Sequence, residues 1–228
     1  MKKALIILSC VVVAGLAFAT AFLLTYDRER RVTEKPVLYI YSPQEQRLTV
    51  SVDVDGAIDT VYPAPDALET TDWGTQASWT VTASPDGTLT DASGRTYPSL
   101  FWDGPVGQES PEEGFVVARE DAVPFLEEKL ALLGLTDKEA ADFITYWAPR
   151  IRANEYTFVS FDASSYTAHA RYSFTDEAGA PVKPDTFIRV FMTIRQAEAT
   201  TQVREQAFGP TPQRTGLVAV EWGGTEEQ

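Results

Sequence analysis

The chain has 228 residues, and its 33 aspartates and glutamates outnumber its 19 lysines and arginines, giving a formal net charge of −14. So acidic a protein repels phosphate backbones, and we expect no nucleic acid among its partners. Its one cysteine, Cys10, and one histidine, His169, exclude a disulfide scaffold and a zinc site of three histidines. The sequence has no HExxH, GxSxG, GxxxxGK[ST] or GxGxxG motif, so we predict no catalytic residue, metal or cofactor.

The chain begins with Lys2 and Lys3, followed by 21 uncharged, mostly apolar residues from Ala4 to Leu24. A helix of that length rises about 31 Å, enough to cross the hydrocarbon core of a bilayer. We therefore predict a transmembrane helix that acts as a signal anchor over residues 1–26, with the lipid bilayer as the partner of residues 4–24.

Two alternatives to an uncleaved anchor remain open. The segment is also compatible with a signal peptide cleaved near Ala19 and, less well, with lipidation at Cys10. The lysines and arginines at the two ends of the segment do not favour either orientation. We expect a single-pass protein whose C-terminal domain lies outside the cytoplasm. This expectation depends on the N-terminal position of the anchor, which a long domain follows. A charged juxtamembrane stalk is predicted over residues 27–35.

Strand patterns begin after this stalk. Residues 37–41 are apolar on both faces and predict a buried central strand, whereas residues 48–54 alternate and predict a half-buried one. Asp55-Gly56 predicts a tight turn between strands. Residues 78–102 then predict a β-meander with turns at Gly87 and Gly94.

Two helices are predicted next, joined as a hairpin. The first is expected to begin at Asp121 as its N-cap and to end at Gly134. Thr136 and Glu139 have the spacing of a capping box, which predicts the start of the second helix.

The chain returns to strands near its C-terminus. Residues 186–195 and 217–222 are the strongest of these, and in the first of them Ile188, Val190, Met192 and Ile194 share one face. We predict an α+β fold: a single mostly antiparallel β-sheet/meander domain over residues 36–224, with a two-helix hairpin packed on one face. Residues 225–228 are predicted to be a frayed tail.

A group of aromatic residues in the meander is the predicted binding site. It comprises Trp73, Trp79, Tyr97 and Trp102, with Asp103 beside the last. Indole faces stack on the apolar faces of sugar rings, and carboxylates accept hydrogen bonds from sugar hydroxyls. The pattern suggests a patch that binds wall glycan, although tryptophans of a small domain also commonly lie in its core.

Charged residues give two further hypotheses. Arg189 and Glu221 each interrupt an apolar strand, so we predict that they form a structural ion pair if the strands are neighbours. Asp53, Asp55 and Asp59 gather oxygen atoms around a turn but lack the spacing of an EF-hand, which favours a solvated hairpin end over a calcium site.

Several short sequence motifs indicate a family resemblance. They are KPVLYIYSP at residues 35–43, SLFWDG at 99–104, IRVFM at 188–192 and VEWGG at 220–224. Through them the chain resembles a family of uncharacterised, membrane-anchored surface proteins of Gram-positive bacteria. The resemblance implies a location at the cell surface and the extent of the domain, and it implies no activity or catalytic residue.

Together these features predict a membrane-anchored, extracytoplasmic, non-catalytic module that binds a component of the cell envelope, either a protein or wall glycan. The alternative is a metal-independent hydrolase of wall glycan that uses two carboxylates. Such an enzyme requires a cleft with two facing acids about 5–10 Å apart, and sequence spacing does not identify the pair.

Overall fold

The structure is a computed structural model that describes residues 30–107 and 109–227. The predicted membrane helix over residues 4–24 lies outside the described residues. Within the described ranges, no helix is both long enough and apolar enough to cross a membrane.

The described residues form a mostly antiparallel β domain with one hairpin-like pair of helices and two sheets. The first sheet has eight strands, in the spatial order β14 (Arg204–Glu205), β9 (Glu113–Ala118), β10 (Tyr156–Phe161), β13 (Thr186–Ala197), β15 (Val218–Glu227), β1 (Arg30–Tyr41), β8 (Leu100–Gly107) and β3 (Thr60–Tyr62). The second has seven, in the order β12 (Pro181–Val182), β11 (Ala170–Thr175), β2 (Gln46–Val54), β5 (Thr75–Ala83), β6 (Leu89–Thr90) and β7 (Thr96–Tyr97), with β4 (Ala67–Thr70) also paired to β5. Among these described strands, β13 with β15 and β9 with β14 are the parallel pairs.

The helices are α1 (Ala122–Leu132), α2 (Asp137–Ile151) and the short α3 (Ser164–His169), and a 3-10 turn, Arg119–Asp121, leads into α1. The predicted capping box of α2 is confirmed: the Thr136 hydroxyl accepts from the Glu139 amide, and the Glu139 carboxylate accepts from the Thr136 amide. Asp121 directly precedes α1, as predicted, but its side chain forms no capping hydrogen bond. Asp121 already has helical backbone angles because of the 3-10 turn, whereas an N-cap needs an extended backbone.

The domain has two hydrophobic cores, one on each side of the first sheet. The outer core lies between this sheet and the α1–α2 hairpin, and it includes Trp147, Ile188 and Trp222. The inner core lies between the two sheets and includes Val50, Trp102 and Ala219. Since the first sheet is buried on both faces, its central strands must be apolar on both faces. This is why residues 37–41 have the pattern of a buried central strand.

The prediction of one sheet is wrong in one respect, because β2, β5 and β11 form a second sheet instead of extending the first. The alternation of these strands gives each of them one apolar face, and that face packs on the first sheet. The patterns identify such half-buried strands without showing which sheet they join.

Two predicted boundaries also change. Residues 30–35 of the predicted stalk belong to β1, where Glu34 pairs with Gly224 of β15. Backbone pairing at the end of a sheet needs no apolar side chains. The charge of this segment therefore does not prevent it from forming a strand. Residues 225–227 are likewise not frayed: they continue β15 alongside β13, and the Arg195 guanidinium lies 3.0 Å from a Glu227 carboxylate oxygen.

Candidate functional site

The outer face of the second sheet presents short hydroxyl side chains from its three central strands. In β2, β5 and β11 the apolar residues alternate with Thr or Ser and point toward the first sheet. The antiparallel registers place the outward residues side by side in two rows, Thr175–Thr49–Thr80 and Ser173–Ser51–Ser78. We call these six residues the hydroxyl face.

Cross-strand hydrogen bonds hold the hydroxyl face in order. The Ser51 and Ser78 hydroxyls are 2.7 Å apart, and those of Thr49 and Thr80 are 3.2 Å apart. A hydroxyl group has one donor and two acceptor lone pairs, so a single bond leaves it able to form others. The rows are therefore an ordered array of groups that can donate to or accept from a ligand.

A surface hollow of about 400 Å³ lies over the threonine row. Thr49, Thr80 and Thr175 line it, together with Arg47 and Glu177. The Arg47 Nε atom lies 3.7 Å from a Glu177 carboxylate oxygen, and both side chains are well exposed. The hollow thus has hydroxyl groups along its strands and an exposed pair of opposite charges beside them.

Trp73 lies at the other end of these strands. The Arg171 guanidinium carbon is 4.1 Å from the centroid of its ring, and Arg171 is opposite Asp53 in the next strand. The Thr71 hydroxyl accepts from the Trp73 and Gly74 amides, which orders the loop that carries the indole. Asp53 in turn accepts a 2.8 Å bond from the Gln76 side chain. The threonine row and Asp53 are four residues apart along β2, about 13 Å.

The predicted aromatic patch does not exist as an exposed surface. Trp79 and Trp102 are 2% and 1% exposed and lie in the inner core, where their indole nitrogens donate to the Pro63 carbonyl and the Tyr172 hydroxyl. Tyr97 is also buried, and its hydroxyl donates to Asp91. Each indole occupies an inward position of an alternating strand, so the same pattern that predicted the strands buries them.

Trp73 and Asp103 are the two predicted site residues outside the core. Trp73 is half-buried beside Arg171, and Asp103 is half-buried on β8 of the first sheet. Trp73 lies in the loop between β4 and β5 of the second sheet, next to the strands of the hydroxyl face, whereas Asp103 belongs to the first sheet.

The ion pair predicted between Arg189 and Glu221 is present. The two residues are opposite each other on β13 and β15, and the Arg189 Nε atom is 2.5 Å from a Glu221 carboxylate oxygen. The other Glu221 oxygen accepts a 2.6 Å bond from the Tyr166 hydroxyl. Burial, reinforced by the Glu221 charge, raises the pKa of the Tyr166 and Tyr172 phenols well above the usual value. The cluster is enclosed between the sheets, as a structural role requires.

The aspartates around the first tight turn have other partners. Asp53 accepts from Gln76, and Asp55 lies 3.0 Å from the His169 ring nitrogen. In the described ranges, no three His, Cys, Asp or Glu side chains are placed to hold a metal ion. His169 ends α3, and its contact with Asp55 links α3 to the end of β2.

The comparisons with family models, with curated proteins and with solved structures found no match. The resemblance to surface proteins of Gram-positive bacteria therefore stays a prediction. The assignment of function depends on the chemistry of the described surfaces.

The hydroxyl face is not among the sites predicted from the sequence. Its signal was the alternation of Thr49 and Ser51 in one strand with Ser78 and Thr80 in another. Each stretch alone has the ordinary pattern of a half-buried strand. The rows become visible only with the registers that join the three strands.

Proposed function

We propose that this protein is a membrane-anchored, extracytoplasmic, non-catalytic module that binds wall glycan on the hydroxyl face. The observation that carries the proposal is the register of the two hydroxyl rows: Thr175–Thr49–Thr80 lies beneath the hollow, and Ser173–Ser51–Ser78 lies between that row and Asp53. A glycan is a chain of hydroxyl groups and apolar ring faces, and it needs both kinds of partner.

The short side chains support a glycan ligand. Serine and threonine have few rotamers and lose little conformational entropy when a ligand fixes them, unlike lysine or glutamate. The half-buried Trp73 offers an apolar surface close to Asp53 and Arg171, which supply an acceptor and donors.

The same face fits a protein partner less well. Protein interfaces depend on buried aromatic, aliphatic and arginine anchors at their centre. The centre of the hydroxyl face consists of Ser51, Ser78, Thr49 and Thr80, which provide little apolar area. Of the two predicted envelope partners, wall glycan is therefore the one we propose.

The position of the domain supports attachment to the membrane. The apolar segment ends at Leu24 and β1 begins at Arg30, so five residues separate them. Such a short connection would keep the domain close to the bilayer, where the innermost wall glycan would be within reach.

Co-sedimentation with purified cell walls tests this function, with the full-length chain in a non-ionic detergent. The triple variant Thr49→Val, Thr80→Val, Thr175→Val removes one hydroxyl row and keeps the shape and strand preference of the side chains. The control, Thr60→Val with Thr200→Val, removes exposed hydroxyls elsewhere. We expect the wild type and the control to pellet with the wall and the triple variant to stay in solution. Equal retention of all three proteins would contradict glycan binding at the hydroxyl face.

The alternative hydrolase is tested in the same samples. A wall-glycan hydrolase would release soluble reducing ends during the incubation, whereas a binding module leaves the wall intact. Release that persists in the triple variant would favour the enzyme and place its site elsewhere.

A further inference from the structure

A second pocket, of about 380 Å³, lies on the first sheet near the ends of β9, β10 and β14. Its lining includes four carboxylates, from Glu109, Glu112, Glu113 and Asp162, and one basic group, from Arg204. The pocket is separate from the hydroxyl face, so what it binds does not depend on the proposed function.

An ion pair and several hydrogen bonds hold the walls of the pocket in place, and they use the hydrogen-bond donors of the pocket. The Arg204 guanidinium lies 2.6 Å from a Glu113 carboxylate oxygen. The Gln206 side chain forms two 2.9 Å bonds with the backbone of Phe161, one as donor and one as acceptor, and so fastens the β14 segment beside β10. The Ser165 hydroxyl accepts a 2.9 Å bond from the Glu109 amide.

Fewer of the hydrogen-bond acceptors of the pocket have a partner. In the described part of the chain, the Glu109 and Glu112 carboxylates have no hydrogen-bond or ion-pair partner, and Asp162 accepts one backbone bond from Ser164. Ser160 also lines the pocket; it is fully buried, and its hydroxyl has no partner among the described residues. Buried polar groups in folded proteins are nearly always paired, so this hydroxyl points to a group that is missing from the site.

We propose that this pocket binds a primary ammonium group carried by a small organic ligand. An ammonium ion has three donors and no acceptor, which complements carboxylates and an unpaired hydroxyl. Ser160 lines the pocket, and its hydroxyl, which has no partner among the described residues, can accept one of the ammonium donors. In the described ranges these acids do not form a metal-binding group, which favours an organic cation over a metal ion.

The ammonium group could belong to a lysine-type side chain or to an amino sugar, and matched probes separate the two. Isothermal titration calorimetry of the full-length chain in non-ionic detergent compares Nα-acetyl-lysine amide with its Nε-acetylated form, and glucosamine with N-acetylglucosamine. We expect saturable binding of one or both amines and at least tenfold weaker binding of the acetylated partners. Equal binding of amines and acetylated forms, or no saturable binding of either amine, would overturn the proposal.

Variants locate the binding. The double variant Glu112→Gln, Asp162→Asn should weaken amine binding at least tenfold, and Ser160→Ala should weaken it at least threefold. The control Glu198→Gln, Glu205→Gln removes the same charge from exposed positions outside the pocket and should bind like the wild type. Thermal unfolding verifies that each variant folds. Equal weakening in the control would mean that only the net charge attracts the amine, and unchanged binding by Ser160→Ala would remove the Ser160 hydroxyl from the site.

Discussion

The outer face of the first sheet carries Ile188, Val190 and Ile194 and is covered by α1 and α2. The outer face of the second sheet carries the hydroxyl face, and none of the helices among the described residues packs on it. An apolar sheet face must be covered by another layer, and an antiparallel sheet can leave its polar face in water. The covered face therefore determines stability, and the open face is available for binding.

Polar contacts show the same contrast. Between the first sheet and α2, tyrosines of β1 donate 2.7 Å bonds to acids of the helix, from Tyr39 to Asp142 and from Tyr41 to Glu139. These bonds join two layers and are partly buried. On the hydroxyl face, bonds such as that between Ser51 and Ser78 join neighbours within one layer. Losing a bond between layers should weaken the packing of α2 on the first sheet. Losing a bond within the hydroxyl face should leave the second sheet intact.

The largest difference between the two faces should appear in the free energy of unfolding when one side chain of each face is replaced. Trp147 is fully buried in the outer core, packed against Phe143 and the backbone of Gly224. Trp147→Ala should lower the free energy of unfolding by about 3–5 kcal/mol because it leaves a large cavity. Thr80→Val on the open face should change it by less than about 0.5 kcal/mol. Urea unfolding followed by circular dichroism measures both, and similar effects would contradict the comparison.

The next effect concerns Glu139, which is fully buried and contacts Arg214, the Tyr41 hydroxyl and the Thr136 amide. Glu139→Gln should cost about 1.5–3 kcal/mol, since it weakens bonds to a charged acceptor. Asp137→Asn, at an exposed position two residues earlier in the first turn of α2, is the matched control and should cost much less. Chemical denaturation of both variants gives the difference, and equal costs would mean that burial of Glu139 contributes nothing.

Alkali should act on the covered face. Burial, followed by bonds to the Asp142, Glu139 and Glu34 carboxylates, raises the pKa of Tyr39, Tyr41 and Tyr146 above the usual value of 10.0. These groups stay protonated in the folded protein, so the stability they contribute is present below pH 10 and is lost as the pH rises further. Exposed tyrosines such as Tyr62 should ionise first, and a further rise in absorbance at 295 nm should then coincide with the loss of circular dichroism. Ionisation of all nine tyrosines without loss of structure would contradict the burial of these three residues.

The smallest effect is at Asp91, near the edge of the second sheet. Hydrogen bonds, first from the Ser93 side chain and then from the Arg95 amide and the Tyr97 hydroxyl, lower its pKa from 3.8 to about 2. The stability this group contributes is present above pH 4 and is lost as the pH falls toward 2. Asp91→Asn should therefore be less stable than the wild type at pH 7, and the difference should shrink as the pH falls from 4 toward 2. A constant difference across this range would contradict the assigned bonds.

Much of the fold could be predicted because local patterns determined it. The capping box at Thr136 and Glu139, the apolar alternation of residues 188–194 and the pairing of Arg189 with Glu221 each follow from nearby residues or from the cost of burying a lone charge. The second sheet and the hydroxyl face depend on strand registers between distant segments, such as Ser51 with Ser173, and no local pattern contains these. Trp79 and Trp102 illustrate the same limit of local patterns. In the sequence, a tryptophan whose strand position faces the core resembles one that binds a sugar at the surface.

Hydroxyl-radical footprinting of the full-length chain, with and without soluble wall glycan, tests the central claim most directly. Tryptophan and tyrosine are both strongly labelled, and the chain offers Trp73 beside the hydroxyl face and the exposed Tyr62 on β3 of the first sheet as an internal control. Saturating glycan should reduce the labelling of Trp73 and leave that of Tyr62 unchanged. Unchanged labelling of Trp73, or protection of Tyr62 alone, would contradict glycan binding on the open face of the second sheet.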